Sequence, residues 1–243
     1  RKKQRRHEVG NIFFVACSRW LESEAKASTL LKGHKITSIP NPIDIHIYNR
    51  CNKKEARQRL GLPAEKKLIL FVSQRVTNRN KGMAYLMDAC DQLKDLPQLG
   101  VVILGGHAEE VTTQLPTFPL GYVNDEHRIV DVYNAVDVFV LPSLSENLPN
   151  TIMEAMACGV PCVGFRVGGI PEEIDHKQNG YVADHRSAED LARGIRWILT
   201  EADYESLCQH AVHKVAQNYS QQSVAIKYLD VYQQAMAFKH YGL

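Results

Sequence analysis

Apolar residues in this chain gather in short unbroken runs. Between the runs they recur every three or four positions. Leu68–Ser73 (LILFVS), Gly100–Leu104 (GVVIL), Asp137–Leu141 (DVFVL), Pro161–Phe165 (PCVGF) and Gly180–Ala183 (GYVA) are such runs, as expected of strands covered on both faces. A further short strand is predicted at Leu120–Val123. Ala84–Leu93, Arg128–Ala135 and Thr151–Cys158 carry helical spacing between the strands. Ala188–Leu199, Tyr204–Gln217 and Ser223–Phe238 predict closing helices. Strands that alternate with helices pair in parallel through right-handed crossovers. The expected fold class is therefore α/β, a Rossmann-like parallel sheet with helices on both faces.

The N-terminal stretch follows a different plan. Asn11–Cys17 (NIFFVAC) predicts a strand, and Ser18 is placed to cap a helix over Trp20–Leu31. Ile36–Asp44 (ITSIPNPID) carries two prolines, which oppose a helix. It reads as an extended linker.

Composition narrows the class without deciding it. The 243 residues are 44% apolar and 23% charged, ordinary values for a globular protein. No apolar run approaches the roughly 20 residues of a membrane span, and no signal-peptide pattern opens the chain. Six cysteines are scattered along it. Cys158 and Cys162 lack the two-residue spacing of zinc or redox motifs, so the expectation is reduced, mostly buried thiols in a cytosolic protein. Net charge is +2, although five of the first six residues are Lys or Arg. The remainder is mildly acidic. That opening run reads as a solvated helix end, because no RNA-binding motif or stacking platform accompanies it. No nucleic-acid partner is expected. The ten histidines show no ligand spacing near carboxylates, so no metal ligand is assigned.

The candidate chemistry centres on SENLPNTIMEAMACGVP, Ser145 to Pro161. Glu146 follows a strand-like run and Glu154 lies about two turns into a helix-like one. In a parallel sheet that junction falls at the carboxyl edge of the strands, where ligands bind. One carboxylate then lies in a loop at a cleft and the other on the helix behind it, which suits a ligand with several hydroxyls and a phosphate. Glu154 is flanked by Ile152, Met153, Ala155, Met156 and Ala157. A carboxylate there is either paired or bound to something.

This stretch resembles the Glu-x7-Glu motif of retaining glycosyltransferases of family 4, which have the GT-B fold. The neighbours agree: Pro149, Glu-Ala-Met-Ala at Glu154 to Ala157, Gly-x-Pro at Gly159 to Pro161, and Gly168 with Gly169. The resemblance runs from about Ile36 to the C-terminus. It implies one half of a GT-B fold, the donor-binding half. Residues 1–35 would be a remnant of the N-terminal, acceptor domain, and 36–44 the interdomain linker. Residues 45–200 would be the nucleotide-sugar-binding domain and 201–243 C-terminal helices. The linker resembles the family's Asn-Gly-(Ile/Val)-Asp segment, with Pro42 where Gly is usual. The final helix would cross back to the N-terminal domain, so residues near Ala225 to Phe238 are expected to expose apolar surface.

The resemblance also implies roles. Arg75 and Lys81, in SQRVTNRNKG, would bind the donor diphosphate and stabilise the charge that develops on the leaving group. Their spacing of six is slightly long and Gln74 replaces a common Gly, so Arg79 competes with Lys81. Such cations make a metal ion unnecessary, and no cofactor is expected. Glu154 would accept hydrogen bonds from ribose hydroxyls. Glu146 would contact the donor sugar, positioning a hydroxyl or stabilising a cationic sugar face. Asn147, Leu148, Asn150 and Thr151 open a helix whose N–H groups favour phosphate, with Pro149 suited to its first turn and Thr151 able to cap it. Gly105 and Gly106 end a strand where a ligand can approach, or form a tight turn. Gly121 to Val123, with Tyr122, resembles the segment that reads the base. Gly168 and Gly169 fit a turn near the sugar and phosphate.

The implied activity moves a sugar from a nucleotide diphosphate sugar to a hydroxyl of a glycan or lipid-linked acceptor, with retention. The partners are the donor and the absent N-terminal domain. This chain alone is expected to bind nucleotide with little or no transfer. The expected location is the cytoplasm, with peripheral association of the full enzyme at the inner membrane face left open. The alternatives are another GT-B enzyme, such as a nucleotide-sugar epimerase or a phosphorylase, and a non-catalytic nucleotide-binding module.

Overall fold

A computed structural model describes residues 12–240. The basic run Arg1–Arg6 and the start of the first predicted strand at Asn11 lie outside the described residues.

The N-terminal unit consists of β1 (Phe13–Ala16), α1 (Arg19–Ala27) and β2 (Lys35–Ser38), with the two strands paired in parallel. Ser18 caps α1 as expected, its side chain accepting from the Leu21 N–H. The helix is shorter than its predicted extent to Leu31, because Ser28 turns extended and closes the last turn onto Ala25. The stretch read as a linker begins inside β2. Its backbone is extended, as its prolines require, and only the part before Pro40 pairs as a strand.

The main body opens with α2 (Lys53–Leu60), a helix the apolar pattern does not show. It buries Ala56 in the core and adds a set of polar contacts. The Arg57 guanidinium donates to Ala135 O and to Asp137 Oδ2, at 2.7 and 2.9 Å. Asp137 also accepts from the Leu68 N–H and from Lys53. Caps were the available signal, with Asn52 at its start and left-handed Gly61 at its end.

Six strands then build one parallel sheet: β3 (Lys67–Arg75), β4 (Leu99–Gly106), β5 (Thr117–Gly121), β6 (Val138–Leu141), β7 (Cys162–Phe165) and β8 (Gly180–Ala183). Their spatial order is β5-β4-β3-β6-β7-β8, parallel throughout. The intervening helices are α3 (Met83–Asp91), α4 (Glu126–Ala135), α5 (Asn150–Ala157) and the short α6 (Ile170–Glu173). This is the Rossmann-like α/β architecture expected from the sequence. Successive side chains of a strand point to opposite faces, so Leu68 and Leu70 enter one core layer and Ile69 and Phe71 the other. β5 is displaced toward the N-terminus from its predicted position. It tolerates Pro119 because it is an edge strand.

Three helices close the chain: α7 (Ala188–Thr200), α8 (Tyr204–Asn218) and α9 (Gln221–His240). Val224 and Val231 of α9 are buried with Ile39 against Phe13 and Val15, so α9 packs on the β1–β2 unit. Its other face leaves Ile226, Leu229, Tyr232 and Met236 exposed. The expectation of exposed apolar surface there is met on that face.

Candidate active site

The strand order reverses between β3 and β6. A crevice opens at such a reversal, outside the carboxyl ends of the strands. Four strand ends with the loops that follow them meet there: Gln74–Gly82 from the end of β3, Gly105–His107 from the end of β4, Pro142–Pro149 after β6, and Arg166–Gly169 after β7.

Close backbone contacts hold the loops together. The Leu144 N–H donates to Asn80 O at 2.8 Å, joining the loops after β6 and β3. Gly82 has φ +72° and would place a Cβ 1.8 Å from Pro142 O. Gly168 has φ +55° and would place one 1.7 Å from Glu146 O. Neither position admits a side chain. The Gly168–Gly169 turn is thus explained by its packing on Glu146 and Asn147, whose carbonyl accepts from the Gly169 N–H.

Lys81 and Glu146 meet directly, with Lys81 Nζ donating to Glu146 Oε1. Lys81 ends a 3₁₀ turn, Arg79–Lys81, and Glu146 lies in the loop after β6. Their side chains are 33% and 13% exposed, so this pair is screened less than a surface ion pair. Arg75 ends β3 and Arg79 opens the 3₁₀ turn. Both are exposed and neither forms an ion pair among the described residues.

Glu154 lies on α5 in a mostly apolar setting, and the structure supplies its partner. The hydroxyl of fully buried Tyr133 donates to Glu154 Oε2 at 2.7 Å. Burial raises the Glu154 carboxyl above its ordinary range, and the Tyr133 hydrogen bond opposes that rise only in part. Tyr48 stands edge-on to Tyr133 and is buried with it. Tyr133 carries no sequence signal as a site residue, because its spacing on α4 is that of a core position.

Pro149 occupies the N-cap of α5, one position before the first turn, and contributes no side-chain cap. Thr151 lies inside the helix and does not cap it. No side chain therefore caps the first turn of α5, whose Ile152 N–H donates to Pro149 O at 3.0 Å. Asn150 accepts from Asn41 at 3.2 Å. Leu148 is buried in the core. The Asn147 side chain turns to the N-terminal unit, accepting from Ser18 Oγ at 2.6 Å and donating to Cys17 Sγ at 2.8 Å. Any ligand contact from Asn147 and Leu148 falls to the backbone. Gly105 packs on Ser73 O and Gly106 follows it at the end of β4. Tyr122 and Val123 follow the end of β5. Tyr122 is 65% exposed, and Val123 packs on the core.

Three residues near the crevice were not singled out by the sequence. Ser143 Oγ and both Glu173 carboxyl oxygens are buried without a hydrogen-bond partner among the described residues. Glu172 accepts from the N-terminus of α1. His107, Glu109 and Glu110 come within ligand reach of one another, which the sequence reading did not foresee, and all three are exposed. All six cysteines are free, and Cys90, Cys158, Cys162 and Cys208 are buried. Among the described residues no helix is long and apolar enough to cross a membrane.

The sequence profile of Glycosyl transferases group 1 matches residues 52–215. The chain belongs to this family. It is 35% identical over 190 residues to the putative teichuronic acid biosynthesis glycosyltransferase TuaC of Bacillus subtilis, covering 77% of this chain and 47% of that protein. Among solved structures it is similar to sucrose-phosphate synthase from Thermosynechococcus elongatus. That match has a TM-score of 0.81 at 22% identity and covers 97% of this chain and 62% of the other. Anabaena Alr3699/HepE in complex with UDP-glucose gives a TM-score of 0.75 at 21% identity, covering 90% and 63%. These likenesses establish the fold as that of GT-B glycosyltransferases. The chain spans about half the length of the curated relatives it matches.

Proposed function

We propose that this chain is the donor-binding half of a retaining family 4 glycosyltransferase, which moves a sugar from a nucleotide diphosphate sugar to an acceptor hydroxyl. The observation that carries this is the half-buried Lys81–Glu146 pair at the reversal of strand order, with Glu154 held by Tyr133 on the helix that follows. HepE, with the same fold, was solved with UDP-glucose, which supports a nucleotide-sugar donor here.

In this reading Lys81, Arg75 and Arg79 face the diphosphate. Charge builds on the leaving group as the glycosidic bond breaks, and cations fixed beforehand stabilise that state more than the bound donor. The uncapped N-terminus of α5 adds N–H groups toward phosphate. Glu154 offers acceptors to the ribose diol. Glu146 orients a sugar hydroxyl while keeping Lys81 aimed into the crevice. In the same reading its carboxylate would stabilise the positive character that grows on an oxocarbenium-like sugar. With cations supplied by the chain, no metal ion is needed at the diphosphate.

The test is transfer by a form extended to the length of the relatives, with the product followed by NMR. An α-linked donor is expected to give an α-linked product, and the 243-residue chain little or none. An inverted linkage would overturn the retaining assignment, and appreciable transfer by the short chain would overturn the half-site assignment.

A further inference from the structure

The loop that carries Glu146 and the neighbouring α6 are bonded to the N-terminal unit, 129 or more positions away in sequence, through one residue each. Asn147 is the first. Its Oδ1 accepts from Ser18 Oγ at 2.6 Å and its Nδ2 donates to Cys17 Sγ at 2.8 Å. Ser18 Oγ also accepts from the Leu21 N–H at 3.0 Å, so the same hydroxyl caps α1. Glu172 is the second. Its carboxylate accepts from the Arg19 and Trp20 N–H groups at 2.9 and 2.7 Å and pairs with Arg19 Nε at 3.2 Å. A carboxylate there satisfies orphan donors of α1 and meets the positive end of its dipole.

The two residues also belong to one packed unit. The Gly169 N–H donates to Asn147 O at 2.6 Å, and Gly168 packs on Glu146 O. The Glu172 N–H in turn donates to Gly169 O at 2.9 Å, and the hydroxyl of Tyr219, the C-cap of α8, donates to Glu172 O. No contact in this chain of bonds involves a group the proposed chemistry needs. The Gly168 and Gly169 contacts fall on the backbone of Glu146 and Asn147, and Glu172 joins them through Gly169.

We propose that Asn147 and Glu172 form a latch between the N-terminal unit and the loop bearing Glu146, and that Asn147 acts as a positioning residue. Resting on the donor-site reading above, the latch sets the orientation of Glu146 toward the donor sugar through the position of α1. The two side chains then govern recognition of the sugar and leave the nucleoside diphosphate to Lys81 and Glu154.

Cys17 offers a direct reporter, because its sulfur is one end of the latch. In a Cys51→Ser background, which removes the exposed thiol, the rate of Cys17 modification by a disulfide reagent is measured in native protein. Asn147→Ala is expected to raise that rate about tenfold, the scale of one lost hydrogen bond. Glu172→Gln, which keeps the shape and removes the charge at α1, is expected to raise it less and serves if Asn147→Ala folds poorly. The same variants are titrated with UDP, GDP and ADP and with the matching glucose conjugates. Affinity for the nucleoside diphosphate is expected to stay within about twofold, while affinity for the conjugate falls about tenfold. Asn147→Asp restores the acceptor for Ser18 and is expected to recover part of the loss. Unchanged Cys17 reactivity in both variants would overturn the latch. Equal loss of both ligands in Asn147→Ala would make Asn147 a nucleotide contact and overturn the positioning role. If wild-type protein binds none of the nucleotides, the donor-site reading fails, and the latch is then judged by Cys17 alone.

Discussion

Glu173 shows how much a single buried group can set the pH behaviour of this fold. Its side chain is fully buried and neither oxygen has a hydrogen-bond partner among the described residues. Burial pushes its carboxyl well above the ordinary range, Glu146 and Glu172 add to the rise, and Lys214 opposes it. A carboxyl raised in the folded state holds its proton more tightly there than in the unfolded chain. Its contribution to stability is therefore complete below the ordinary value of 4.5 and is lost as pH rises through the folded value. Glu173→Gln removes the ionisation and keeps the shape. Thermal unfolding across pH is expected to show equal melting temperatures at acidic pH and a growing advantage for Glu173→Gln toward alkaline pH. A constant difference at all pH values would contradict this account.

At the same scale, Lys81 was singled out by the family resemblance, with Arg79 competing, and the placements of Glu146 in a loop and Glu154 on the helix behind it were legible in the sequence. Tyr133 and Glu172 were not. Tyr133 reads as one more core position on α4, and the contacts of Glu172 with α1 join residues more than 150 positions apart. Only the folded chain brings such pairs together. Asn147 was legible as a loop residue beside Glu146, but the direction of its side chain depends on the same long-range packing.

Among the elements, the buried strands and α5 could be read from apolar runs and spacing alone. Elements held by other forces could not. The buried Arg57–Asp137 pair and capping help to fix α2, and an unpaired edge lets β5 keep Pro119. The two faces of α9 give a test at this scale. Val231 is 8% exposed and packs toward β1 and β2, whereas Ile226 is 61% exposed. Val231→Ala is expected to cost about 2 kcal/mol and lower the melting temperature of this chain by about 4–8 °C. Ile226→Ala should stay within about 0.5 kcal/mol of wild type. Equal losses at the two positions, measured by calorimetry, would mean that α9 is seated differently.

For the molecule as a whole, six parallel strands in the order β5-β4-β3-β6-β7-β8 place four loops around one crevice. Membership of the glycosyl transferases group 1 family fits that architecture. The central claim is that this crevice binds a nucleoside diphosphate through its own cations. Titration calorimetry of UDP, GDP and ADP against the chain, with divalent metal chelated, tests it most directly. The account predicts that one of the three binds, and that Lys81→Ala weakens it at least about tenfold, the loss expected for a charged hydrogen bond. Glu154→Gln should weaken it as well. Binding that required magnesium, or that neither substitution changed, would contradict the account.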